Sequence, residues 1–307
     1  MMKRHGGYDV ISTCDIIGGF DYVDWKKCLD ESKPEAVVIC TANHVMADII
    51  CYALEKGIHV FCEKPPGRSL ADTLRMKQAF DTSKAVLKFG FNHRYHSSII
   101  EAKTLIDSGL LGRPVFIRGV YGKAGSEVFN TEWRNDPDLS GGGILIDQGI
   151  HMLDLLLYFL GDLSVSFSTV DRLVWTDLPT EDSAVAVLRT SDNKVATLHS
   201  SALQWKHKFD MDIMLTDGYI ALNGLLTSTR SYGEERIAYY RKDLSMKTGK
   251  IGNPIEHNMC FDVDNSWECE MAEFYDAVRN GKPIVNGTIA DAERVMRLVE
   301  DIYDENT

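Results

Sequence analysis

The feature that most constrains the fold is an alternation that runs through the first 90 residues. "PEAVVICT", "IHVFCEKP" and "AVLKFGFN" are continuous apolar, β-branched runs. A strand apolar at successive positions has two faces to bury, which is the mark of a parallel sheet covered on both sides. Between the runs lie helical patterns: "DYVDWKKCLDES", "HVMADIICYALEKG" stopped by Gly57, and "SLADTLRMKQAFDTS". Ser69 is placed to cap the last of these, with Asp72 three residues on as a capping-box partner. An earlier run, "YDVISTCD", reads as a further strand ending at Asp15. Strands separated by helices give a doubly wound α/β domain with a parallel sheet.

After residue 95 the pattern changes. A helix, "SSIIEAKTLIDSG", leads into a strand, "RPVFIRGVYG". Alternating stretches follow: "DLSVSFSTVDRLVW", "DSAVAVLRTSDNKVATLHSSALQW", "FDMDIMLTDGYIALNG" and "RIAYYRKD". "TSDNKV" and "LTDGYI" have the composition of hairpin turns. Two helices, "SWECEMAEFYDAVRNGK" and "TIADAERVMRLVEDIYDE", close the chain. The expectation is an α+β domain with a large, mostly antiparallel sheet over residues 94–307, after a Rossmann-type nucleotide-binding domain over 1–93.

Composition narrows the function classes. The chain has 307 residues, a hydrophobic fraction of 44% and a charged fraction of 25%, which suit two globular domains. A formal charge of −12 with no basic stripe argues against nucleic acid as a partner. No apolar run reaches the roughly 18 residues that span a bilayer, so no membrane association is expected. The N-terminus shows no signal-peptide pattern. Seven cysteines without a C-x-x-C pair read as reduced thiols of a cytoplasmic protein, with no metal site.

Candidate chemistry collects where strands end, because ligands of an open α/β sheet bind outside the carboxyl ends of its strands. Asp15 can hydrogen-bond the adenosine ribose of NAD, or belong to a turn. Thr41, Ala42, Asn43 and His44 open a helix and can meet a cofactor, or Asn43 can simply cap. Glu63 and Lys64 end the next strand, as site residues or as a solvated turn; an ammonium there can stabilise charge on a reacting oxygen. Asn92 and Arg94, in "FGFNHRY", can reach cofactor or substrate.

"GGGILIDQGIHMLDLLLYFLG" is the richest segment. On a wheel of about 100° per residue, with Asp147 at zero, His151 falls near 40°, Asp154 near 340° and Tyr158 near 20°. The other faces are leucine-rich, so this is a buried helix with one polar seam. Buried ionisable groups need partners. Asp147 can pair with His151 inside a core. Alternatively the seam faces a cleft, with His151 as general base and Asp147 orienting it or binding the same substrate hydroxyl. Gly141 to Gly143 would then admit a ligand close to the backbone. Asp154 reads as structural.

The ordered set "TANH", "CEKP" and "GGGILIDQGIHMLD", in an α/β then α+β frame, resembles the Gfo/Idh/MocA oxidoreductases over nearly the whole chain. The resemblance implies NAD as cofactor, with NADP possible. It implies hydride transfer at a hydroxyl carbon of a sugar, nucleotide-sugar or polyol. It gives Lys64, Asp147 and His151 the catalytic roles, with the hydroxyl between Lys64 and His151, and places Thr41, Asn43 and Glu63 along the cofactor. Asp15 matches the acid that accompanies NAD preference. Trp133 and Arg134 resemble a W-R pair near nicotinamide or substrate. The substrate set is then Lys64, Arg94, Asp147 and His151. The chain departs from the pattern before Asp15, where no G-x-G-x-x-G loop stands; that unit is expected in a preceding segment of roughly 30 residues. Two other outcomes stay open: an NAD-dependent glycosidase, and a non-catalytic sugar-binding homologue without the cofactor loop. The broad second sheet suggests a homodimer or homotetramer.

Overall fold

The computed structural model describes residues 6–125, 133–242 and 255–306. The chain divides into two compact units. The first takes in residues to Asn92, together with Asp138–Gly141 and Ser266–Met296. A division into two uninterrupted stretches does not capture that return of the chain.

In the first unit, α1 (Trp25–Ser32), β1 (Ala36–Ile39), α2 (Asn43–Glu55), β2 (His59–Glu63), α3 (Leu70–Thr82) and β3 (Leu87–Gly90) follow one another as the apolar runs predict. The sheet has order β1-β2-β3 and is parallel throughout, with Val38 opposite Phe61 and Phe61 opposite Lys88. Val60, Phe61, Cys62, Leu87 and Phe89 are buried, as strands covered on both faces must be. Phe61 packs with Met271 and Phe274 of α6 (Ser266–Asn280), which is why the late helix belongs to this unit. Caps set the helix starts. Asp24 Oδ1 accepts the Lys26 and Lys27 amides, and Ser69 accepts the Asp72 amide at 3.3 Å. The Asp72 carboxylate reaches back one residue further than a capping box, to the Arg68 amide at 3.2 Å.

The strand expected over residues 8–15 is not formed. Only an isolated bridge joins Cys14 to Tyr22, and Ile11 is 56% exposed. No neighbouring strand among the described residues offers this run a ladder. Its backbone takes local turn contacts instead, such as the Thr13 amide on Asp21 at 2.8 Å.

The second unit comprises His93–Pro137, Gly142–Asn265 and the chain from Arg297. A 3₁₀ turn (Asn92–Tyr95) crosses the boundary and leads to α4 (Ser97–Asp107). The eight strands are β4 (Pro114–Ala124), β5 (Ser164–Asp171), β6 (Ser183–Arg189), β7 (Val195–Ser201), β8 (Leu203–Leu215), β9 (Gly218–Asn223), β10 (Glu235–Arg241) and β11 (His257–Phe261). Their order is β11-β10-β9-β8-β4-β7-β6-β5. Every pairing is antiparallel except β4 with β7. Strand β5 stops at Asp171 rather than running on to Trp175, because the buried Asp182 carboxylate takes the amides of Leu173, Val174 and Trp175 at 2.8–2.9 Å. The helix α5 (Ile150–Leu160) lies on this sheet, and Gly119 of β4 makes room for it: a Cβ there would sit 2.4 Å from the Met152 sulfur. The helical stretch Pro137–Leu160 is long and apolar enough to cross a membrane by composition, but 83% of its most apolar window is buried inside the protein, as in a core helix. A last helix, α7 (Ile289–Asp304), ends the fold.

Candidate active site

The polar seam begins in an anchored loop. The Glu181 carboxylate accepts the Gly143 amide at 2.8 Å, the Leu145 amide at 2.9 Å and the Tyr303 hydroxyl at 2.8 Å. Burial pushes its carboxyl above the usual range, and these three donors oppose that rise. Ser200 Oγ donates to the Ile144 carbonyl at 3.1 Å. The glycines are small because the protein itself approaches them. A Cβ on Gly141 would lie 2.2 Å from the Arg68 carbonyl oxygen, and one on Gly143 would lie 2.2 Å from that of Glu181. The space expected for a ligand beside these glycines is therefore occupied by protein.

The helix that follows is not uniform. Leu145–Gly149 form one turn of π-helix, closed by the Ile150 amide on the Leu145 carbonyl, before regular α5 begins. A π turn holds one residue more than an α turn and is frequent at functional sites. It rotates Asp147 away from the position that a constant 100° step assigns. Asp147 and Asp154 accordingly meet different partners.

Asp147 is held by cations from two elements. Lys123 of β4 reaches Oδ2 at 3.0 Å, and Arg134 Nε lies 3.4 Å from Oδ1. Arg134 sits in a 3₁₀ turn, Trp133–Asn135, and its guanidinium lies 4.7 Å over the Trp133 ring. Asp154 instead meets Arg94, with Nε to Oδ2 at 2.9 Å and Nη2 to Oδ1 at 2.6 Å. Both side chains are buried, at 3% and 1% exposure. Tyr158 completes this end, 4.9 Å under the same guanidinium. Arg94, expected at a substrate, is placed in a buried fork.

His151 is buried, and its ring stacks on that of His93, centroids 3.8 Å apart and planes 20° from parallel. His93 Nε2 lies 3.1 Å from the Tyr121 hydroxyl. The Tyr121 and Tyr232 rings pack with centroids 5.3 Å apart, and Tyr232 donates to Gln148 Oε1 at 3.1 Å. Burial drives the Tyr121 hydroxyl well above its ordinary range and pushes that of Tyr232 up to about 12.

In the first unit, the remaining candidates gather at one edge of the parallel sheet. Thr41, Ala42, Asn43 and His44 follow β1 and open α2. Asn43 does not cap the helix; Ala42 occupies the cap position, and Asn43 Nδ2 donates to the Ser140 carbonyl at 2.7 Å. His44 Nδ1 is buried and makes no hydrogen bond. Glu63 and Lys64 end β2, and Asn92 follows β3. Burial pushes the Glu63 carboxyl up to about 7, against the pull of the Lys64 charge. Gly90, opposite it on β3, leaves that carboxylate its space: a Cβ there would come 3.0 Å from Oε2. Asp15 sits in a local turn, accepting the Ile17 amide at 3.0 Å.

The sequence reading passed over Lys123, Tyr121, His93, Tyr232, Gln148 and Glu181. Three of these carried a signal. Tyr121 and Lys123 share the strand face of Gly119 by the period of two, and His93 lies inside "FGFNHRY", between the two residues chosen from it.

Comparison with known proteins places both units. Residues 10–91 match the model described as an oxidoreductase family with an NAD-binding Rossmann fold. Residues 99–221 match the GFO/IDH/MocA C-terminal domain. Levoglucosan dehydrogenase of Pseudarthrobacter phenanthrenivorans is 32% identical over 158 residues, 51% of this chain and 40% of that protein. Inositol 2-dehydrogenase of Salmonella typhimurium is 27% identical over 197 residues, 60% and 54% of the two chains. The chain thus spans about half the length of the curated relatives it matches. Among solved structures, a levoglucosan dehydrogenase in complex with NADH and levoglucosan superposes with a TM-score of 0.79 at 22% identity, covering 94% of this chain and 83% of that one. The aldose-aldose oxidoreductase of Caulobacter crescentus, complexed with glycerol, gives 0.77 at 20% identity, covering 92% and 80%. These two share the fold.

Proposed function

This chain belongs to the Gfo/Idh/MocA oxidoreductase family, and on that premise we propose that it moves a hydride between NAD and a hydroxyl-bearing carbon of a sugar or polyol. One observation carries the reading: a buried imidazole, His151, stands one turn past a carboxylate, Asp147, that Lys123 and Arg134 hold. Proton transfer to a positioned imidazole is what alcohol oxidation asks of a protein.

The residues at the sheet edge fit a dinucleotide. The N-terminus of α2 has no side-chain cap, and the buried His44 Nδ1 makes no hydrogen bond. Helix N-termini of this kind receive phosphate and other anionic groups. Thr41, Ala42, Asn43, His44, Glu63, Lys64 and Asn92 would hold the cofactor, with Asp15 assigned to the ribose and Trp133 and Arg134 to the nicotinamide side. When bound, the nicotinamide supplies the hydride acceptor. An imidazole nitrogen of His151 takes the hydroxyl proton. Asp147 orients the substrate hydroxyl, and Lys123 and Arg134 hold that carboxylate in place. Lys64 has the task of stabilising charge on the reacting oxygen. Arg94 drops out of the substrate set, since Asp154 engages it.

The test is NADH formation against a panel of levoglucosan, inositols, glucosides and nucleotide-sugars. His151→Ala is expected to stay folded and to lose about 10²- to 10⁴-fold in turnover. Unchanged turnover would overturn the assignment. Net NADH also separates a dehydrogenase from a glycosidase that regenerates its cofactor.

A further inference from the structure

We propose that His93 is a positioning residue for His151: its neutral ring, stacked face to face, fixes the plane of the His151 imidazole and favours the charge that ring acquires. The inference rests on the reading of His151 as the proton acceptor.

A hydrogen bond sets the orientation of His93. Gln148 Oε1 can only accept, so Tyr232 donates to it at 3.1 Å. Tyr121 packs its ring against that of Tyr232, centroids 5.3 Å apart. The Tyr121 hydroxyl lies 3.1 Å from His93 Nε2. That bond holds one edge of the His93 ring in place. A histidine ring is oriented by the bond its other edge makes. Here that bond is to Tyr121, whose ring packs on that of Tyr232, and Tyr232 donates to Gln148 of the π turn that carries Asp147.

The stack then has one open question, the site of a proton. Two imidazolium rings 3.8 Å apart in a buried position repel strongly, so only one carries charge. The surrounding charges pair among themselves. Arg94 is bound to Asp154, Lys123 and Arg134 flank Asp147, and His96 Nδ1 lies 2.8 Å from Glu235. His207 stands edge-on to Tyr232, beyond the tyrosine chain; burial lowers its basicity and the Lys123 charge adds to that effect. The proton that His151 collects is therefore met, on one face, by an uncharged aromatic ring locked in orientation. A hydrocarbon of the same volume would fill the core but offer neither the ring face nor the lock.

Two variants separate ring from volume. His93→Leu keeps the bulk and removes the ring; His93→Phe keeps the ring and removes the hydrogen bond. The readout in the free protein is the His151 titration, followed by imidazole NMR, with circular dichroism to verify folding. His93→Leu is expected to lower the His151 titration by about one pH unit, a roughly tenfold loss of proton affinity, and His93→Phe by clearly less. With a turnover substrate, the acid limb of the kcat/KM profile moves in step. In His93→Leu kcat falls by about tenfold while KM stays. Equal His151 titration in wild type, Leu and Phe variants overturns the proposal. A shifted titration in a protein without dehydrogenase activity retains the positioning role and rejects the proposed function.

Discussion

Asp147 and Asp154 lie two turns apart on one helical run and meet opposite fates. Asp154 and its arginine are almost wholly buried, and one guanidinium takes both carboxylate oxygens. Asp147 divides its oxygens between two cations on different elements, with 14% of its side chain exposed and 45% of the Arg134 side chain. A bidentate fork in the dark is a structural device, because neither partner can leave without stranding the other. A carboxylate held by single contacts at the edge of solvent can trade one of them for a ligand. Residue type and spacing are the same; partner geometry separates structure from chemistry.

The contrast breaks first at Arg94. Arg94→Met leaves Asp154 buried without its guanidinium, and unfolding in urea is expected to show a loss of about 3–5 kcal/mol. A loss below about 1 kcal/mol would place the two aspartates in one class. Asp147→Asn reverses the balance: turnover drops by about 10²-fold, while stability changes by about 1 kcal/mol or less, as for other accessible ion pairs. A large fall in melting temperature with turnover intact would remove Asp147 from the chemistry. Glu63 sharpens the comparison from the other unit. Its carboxyl, raised by burial to about 7 when folded against about 4.5 for an ordinary glutamate, binds its proton more tightly in the folded chain. The stability it contributes is complete below about pH 4.5 and is lost as pH rises through about 7. Glu63→Gln should flatten that part of the stability curve. An unchanged slope would mean that Glu63 titrates as an exposed group.

Much of this was legible in the chain. The strands β1, β2 and β3 could be read because both of their faces are apolar, and the hairpins around Asn193 and Asp217 because turn residues mark them. Asn193 indeed takes a positive φ of 67°. The run at 8–15 looked equally strand-like, but a strand needs a ladder partner, and periodicity says nothing about neighbours. The leucine-rich helix and its three polar residues were visible. The π turn was not, since Glu181, Ser200 and Tyr303, which anchor the loop leading into it, lie far along the chain. For the same reason the pairing of Asp154 with Arg94, and of His151 with His93, was hidden: each joins α5 to a turn more than 50 residues earlier.

The wide turn at Leu145–Gly149 also bears on how this protein can change over generations. Deleting a single residue there would restore ordinary helical winding, swinging Asp147 about the axis while the leucines of α5 keep their seats on the sheet. The joint separates the inheritance of the core from that of the carboxylate. A lineage can retune where its carboxylate points without repacking the hydrophobic layer beneath it.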